Sequence, residues 1–99
     1  MRIEVADVQG NCPLYERGDW FYIEGGFVLV TPRRLCMHAL QAIAPYYVAL
    51  SRGISPLDLG LVGSDGAAYV QCLDPQGYTG GGTVVFRVSR AEVEKPCPK

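Results

Sequence analysis

The chain has 99 residues, 48% of them apolar and 19% charged, with nine basic residues against ten acidic and a formal net charge of −1. A chain of this length fits one domain that buries about two-thirds of its unfolded surface, so disorder is excluded and folding needs neither metal nor disulfide. The arginines are scattered (Arg2, Arg17, Arg33-Arg34, Arg52, Arg87 and Arg90), which argues against a nucleic-acid partner, whose phosphates call for a clustered positive face.

Met1 to Asp7 lacks the apolar run of a secretory signal because Glu4 and Asp7 interrupt it, and a cytoplasmic protein is expected. Ile3, Val5 and Val8 against Arg2, Glu4 and Asp7 give a rough strand pattern that stops at the turn-forming pair Gly10-Asn11. This strand delivers Cys12 to a loop that runs to Gly18-Asp19. Trp20 to Ile23 reads as a second strand, Gly25-Gly26 as a tight hairpin and Phe27 to Val30 as the return strand.

Thr31-Pro32 reads as a helix start, with the threonine hydroxyl as cap and proline at the first helical position. The helix is expected from about Pro32 to Ile43. Pro45 either kinks it or begins a new helix through Tyr46 to Leu50, with Gly53 as the stop. The apolar stretch Leu35 to Leu50 contains His38, Gln41 and Pro45 and falls short of the roughly 20 residues a membrane crossing needs, so no membrane association is expected. Leu35, Met37, Leu40, Ile43, Tyr46, Tyr47, Val48 and Leu50 surround most of the helix. A helix apolar on all sides is buried on all sides, and one sheet covers one side, so a homo-oligomer or a subunit of a larger complex is expected.

Ile54 to Ala68 is rich in turn formers and reads as a surface loop, with one short helical turn at Pro56 to Leu59. Tyr69 to Leu73 is a fourth strand ending at Asp74-Pro75. Thr83 to Ser89 is a fifth, with Val84, Phe86 and Val88 on one face. Gly80-Gly81-Gly82, lacking a following Lys-Ser/Thr, is no phosphate loop and reads as a flexible hairpin. The fold class is therefore α+β, a small curved antiparallel sheet of about five strands packed on one central helix that is either kinked or restarted at Pro45. The domain spans 1–89, and 90–99, which carries Cys97, is expected to be a mobile tail.

Cys12 after the first strand, Cys36 in the first two helical turns and Cys72 at the end of the fourth strand are distant in sequence. In a reducing cytoplasm they are thiols or metal ligands rather than disulfides. If they converge, three thiolates can hold zinc with an open fourth position or an iron–sulfur cluster with one iron left free. Against this stands core packing, since isolated cysteines behave as small hydrophobes and Cys36 shares a helical face with Leu40 and Ile43. His38, two residues from Cys36, points away from it on a helix at about 100° per residue, so the two are not expected to chelate. Asp19 and Asp74 stand beside turn formers and have turn or capping duty, with a supporting role around the cysteines as the alternative.

The series Gly10-x-Cys12, Gly18-Asp19-x-Phe21, Leu35-Cys36-x-x-Ala39-Leu40, Pro45, Ala49-Leu50, Gly53, Cys72-x-Asp74-Pro75 and Val85-Phe86 resembles a family of uncharacterised proteins of about this length from anaerobic bacteria and archaea. The likeness covers nearly the whole chain except the tail. It implies recurrent cysteines at the places of Cys12, Cys36 and Cys72, none at that of Cys97, and no particular reaction. Recurrent thiols suited to oxygen-free cells imply a cluster or metal site. The segment Tyr78 to Gly82 departs from the family. The leading expectation is a small accessory or redox protein that binds an iron–sulfur cluster or zinc through Cys12, Cys36 and Cys72, with Asp19 and Asp74 behind them. The alternatives are a non-catalytic interaction or oligomeric module, and a thiol-dependent enzyme using Cys36 or Cys12 with Asp19, Asp74 or His38 nearby.

Overall fold

The structure is a computed structural model that describes residues 1–90. Cys97 and the expected tail beyond Arg90 lie outside the described residues. Five strands form one open antiparallel sheet in the order β3-β2-β1-β5-β4: β1 (Arg2–Gly10), β2 (Trp20–Glu24), β3 (Val28–Val30), β4 (Ala68–Gln71) and β5 (Gly82–Ser89). The first and last strands are neighbours at the centre, and β3 and β4 are the edges.

The rough apolar pattern of β1 has a structural cause. Ile3 pairs with Val88 and Val5 with Phe86, but the register then slips, and the next pairs are Asp7 with Val85 and Val8 with Val84. The slip is a β-bulge, which places one extra residue on β1 and turns the following side chains over. Ile3 and Val5 face the core before it, and Val8, three positions on, packs against the same core after it. Past the bulge, β1 ends at Gly10 opposite Gly82.

The sheet residues of the hydrophobic core share one face. Ile3, Val5, Phe21, Val84 and Phe86 are its largest fully buried side chains, and they meet Ala39, Ile43 and Leu50 from the helices. Phe86 is central: Phe21 and Tyr15 both approach its ring edge-on, at 6.4 Å and 5.6 Å between centroids. Complete burial of a side chain of this size contributes about 2–3 kcal/mol.

In place of the single central helix expected from the sequence, the chain forms three short ones, α1 (Met37–Ile43), α2 (Tyr47–Ser51) and α3 (Gln76–Thr79). Proline is the reason for the first break: Pro45 has no amide to donate, and α2 starts beyond it as a separate helix. Gly53, at φ +93°, ends α2 with its amide on the Leu50 carbonyl.

The helix start also differs, because tertiary contacts outweigh the local signal at Thr31-Pro32. The Thr31 hydroxyl accepts the Arg33 amide at 3.2 Å and donates to the Arg33 carbonyl at 2.7 Å, closing a turn rather than capping a helix. Residues 32–36 then run without helical structure, and Cys36, extended at φ −89° and ψ 131°, is the residue that precedes α1.

The loop from Ile54 to Ala67 turns tightly at Pro56 to Gly60 and returns as a narrow hairpin, with the Gly63 amide on Ala67 and the Tyr69 amide on Leu61. None of the helices among the described residues is long and apolar enough to cross a membrane.

Candidate functional site

Cys12, Cys36 and Cys72 line a single cavity of about 240 Å³ at one end of the sheet. All three are free thiols and all are half-buried. Each arrives on a different element, and each position has a local cause.

Cys12 follows the end of β1, where Gly10 takes the left-handed value φ +77° that a side chain would resist. The Asn11 amide donates to the Gly81 carbonyl at 3.3 Å. Gly82 crosses the Cys12 backbone so closely that a Cβ there would fall inside the contact distance of the Cys12 amide nitrogen. The glycine run expected as a flexible hairpin is therefore a tight crossing that shapes one wall of the cavity. The Cys12 sulfur accepts the Tyr15 amide at 3.4 Å.

Cys36 stands at the entry to α1, and its amide donates to the Tyr15 hydroxyl at 3.0 Å. Cys72 directly follows β4, and its backbone extends the ladder, the amide donating to the Val84 carbonyl at 2.8 Å and the carbonyl accepting the Thr83 hydroxyl at 3.3 Å. Leu14, Ala39, Val84 and Phe86 supply apolar wall to the same cavity.

His38 and Asp74 are also on the cavity wall. The helical argument that separated His38 from Cys36 assumed both on one helix. Cys36 is extended, so the rotation of about 100° per residue does not relate them, and an exposed His38 shares the wall with Cys36. Asp74 accepts the Thr79 hydroxyl in a short hydrogen bond, which ties the end of β4 to α3.

Asp19 is outside the cavity lining. Its carboxylate accepts the Glu16 amide at 2.7 Å and meets the Arg33 guanidinium at 2.8 Å, and Arg33 also donates to the Leu14 carbonyl at 3.0 Å. Arg33 thereby fastens the Cys12 loop to the segment that carries Cys36. Sequence reasoning missed both Arg33 and Tyr15. Neither belongs to a motif, and the only signal was proximity in sequence to Cys36 and Cys12.

Tyr15 is 4% exposed and joins the two loops through its backbone and its hydroxyl. Burial is the largest influence on that hydroxyl and raises its pKa. The Cys36 amide lowers it, and the neighbouring Cys36 and Cys12 thiols raise it.

Among the described residues no group of three or more His, Cys, Asp or Glu side chains is drawn together as one metal ion would need. A cluster makes a different demand: each ligand thiolate sits on its own iron, so the ligands stand further apart around a wider space. In comparisons with protein-family models, curated proteins and solved structures, this chain matches none, so its function is argued from the cavity itself.

Proposed function

We propose that the protein is a small accessory or redox protein that holds an iron–sulfur cluster in this cavity through Cys12, Cys36 and Cys72. The observation that supports the reading is that three half-buried free thiols from three separate parts of the chain line one cavity. A bound cluster would supply one-electron transfer, or a Lewis-acidic iron where no fourth protein ligand binds. The chain's own residues do the rest. The three sulfurs bind as thiolates, Arg33 and Tyr15 hold the two loops together, and Leu14, Val84 and Phe86 keep water from the sulfurs. Exposed His38 and half-buried Asp74 leave the remaining wall polar, where a fourth ligand or a partner has access.

The test is anaerobic purification or reconstitution with iron and sulfide, followed by iron and sulfide analysis and absorption spectroscopy. Expected is a brown protein with charge-transfer bands that are lost in the triple Cys→Ser variant. A colourless protein that retains neither iron nor sulfide overturns the reading. The second reading, a thiol-dependent enzyme, is favoured by His38 and Asp74 on the wall beside Cys36, and selective alkylation of one cysteine at neutral pH in a metal-free protein is its signature.

We also propose that the working form contains a second copy of the chain. Phe27 is 80% and Leu29 44% exposed, and with Leu40, Ala44 and Tyr47 they border an apolar hollow of about 230 Å³. These residues adjoin β3, which among the described residues pairs only with β2. An edge strand with its outer backbone unpaired is self-complementary, since a two-fold axis beside it pairs it antiparallel with its own copy.

A further inference from the structure

The two edges of the sheet differ in how the chain protects them. β4 is closed along the start of its outer side by the loop before it: the Tyr69 amide donates to the Leu61 carbonyl at 2.9 Å, the Gly63 amide donates to the Ala67 carbonyl at 2.8 Å, and Val62 bridges Ala68. β3 has no such cover among the described residues. Nor does it carry the usual devices that keep an edge from pairing. Phe27 to Thr31 contains no charge and no proline, and its register with β2 shows no bulge. Phe27, Val28 and Leu29 are all exposed.

The outward-facing backbone groups of β3 follow from the pairing of β2. The Ile23 amide donates to the Met1 carbonyl at 2.9 Å, and the Ile23 carbonyl accepts the Met1 amine at 3.0 Å. Both polar groups of Ile23 therefore point away from β3. Ile23 stands opposite Leu29. In an antiparallel ladder two opposed residues exchange both hydrogen bonds or neither, so the Leu29 amide and carbonyl face the free edge. Val28 and Val30 turn inward to Glu24 and Tyr22. Side chains alternate in the same way. Leu29 shares the helix face with Ile23 and borders the apolar hollow with Leu40, Ile43 and Tyr47, while Val28 and Val30 lie on the other face.

We infer that a second copy joins this edge in one register: a two-fold axis passes beside Leu29, the two Leu29 residues exchange both N–H···O=C bonds, and the two sheets become one. This rests on the second-copy reading above and specifies which groups make the contact. Centring on Leu29 is the register in which the whole of β3, Val28–Val30, overlaps its copy. It sets Val28 opposite the second copy's Val30 on one face and brings the two Leu29 side chains together on the other, so apolar groups meet apolar groups on both faces. Phe27 then has the second copy's Leu29 as a diagonal neighbour, within reach of an aromatic ring.

The Leu29 amide reports on this contact directly. Amide hydrogen exchange is followed residue by residue by NMR, in samples that sedimentation shows to be monomer and in samples it shows to be dimer. Expected is a Leu29 amide that exchanges freely in the monomer and slows by about tenfold or more in the dimer, with Val28 and Val30 protected in both. Free exchange of Leu29 in an established dimer overturns this register and leaves the second-copy reading standing. Protection of Leu29 already in the monomer also overturns it, since another segment of the same chain then covers the edge. A monomer at every concentration overturns the second-copy reading, and the inference with it. Leu29→Pro gives a second measurement, because it removes an amide that the pairing with β2 does not use. That variant is expected to keep the wild-type circular dichroism and to sediment as a monomer, and a Leu29→Pro protein that still dimerises overturns the inference. Where Leu29→Pro fails to fold, the wild-type exchange rates decide.

Discussion

At the scale of single residues, the site depends on contacts that leave no room for a side chain. Gly82 is not held by an unusual φ; what it requires is space, because a Cβ there would collide with the Cys12 backbone. Gly82→Ala is expected to cost about 1–3 kcal/mol, the usual range for forced overpacking, and to lower iron uptake, as read by urea unfolding and metal analysis. Asp65 is a residue of the opposite kind, remote from the cavity and electrostatic in its role. Its carboxylate accepts Arg87 at 2.7 Å, the Ala67 amide at 3.1 Å and the Tyr69 hydroxyl at 2.9 Å. Arg87 is the largest cause, with Ala67 and Tyr69 next, that its pKa falls from 3.8 to about 2. A depressed pKa means the folded state favours the charged form, so this stabilisation is complete above the ordinary carboxylate range and is lost as the pH falls from about 4 towards 2. The melting temperatures of wild type and Asp65→Asn, compared from pH 6 to pH 2, should differ most at pH 6 and converge at the acid end. A gap independent of pH would remove the electrostatic account.

At the scale of elements, the short helices carry the clearest departures from sequence expectation. α1 begins without a side-chain cap, because the residue at its entry is Cys36 and its sulfur makes no capping hydrogen bond. Serine is among the preferred residues at that position and cysteine is not. Cys36→Ser should therefore leave folding stability unchanged or raise it by up to about 1 kcal/mol, while abolishing cluster binding. That combination separates the roles: if Cys36 serves only the core, the substitution lowers stability and leaves iron content alone. Thr31-Pro32 is a sound helix-start signal that failed for an identifiable reason. The following residues are held by Arg33 on Leu14 and Asp19 and by the Cys36 amide on Tyr15, partners from a loop near the start of the chain that no local pattern reveals. The Pro45 break and the Gly53 stop were legible because each depends on one residue's own backbone geometry.

For the whole molecule, the proposed second copy gives a direct prediction. Sedimentation velocity should find a dimer that dissociates when Leu29→Lys places a charge beside β3, and a monomer at all concentrations would remove that proposal. The central β1–β5 pairing joins the two ends of the described chain, so its contacts are the most non-local in the fold and form against the largest loop-closure cost. Each strand was legible by itself: Trp20 to Ile23, Phe27 to Val30, Tyr69 to Leu73 and Thr83 to Ser89 all overlap observed strands, since alternation and β-branched composition are local properties. The sequence also singled out Cys12, Cys36 and Cys72, because thiol chemistry is written in residue identity. Their sharing of one cavity was decided only in three dimensions, by strand order, by the bulge between Val5 and Asp7 that resets β1 before Cys12, and by the close crossing at Gly82. The same holds for Tyr15 and Arg33, whose roles come from partners distant in the chain. Local periodicity and backbone chemistry determine which elements form; which side chains meet depends on packing between elements, and no single segment encodes that.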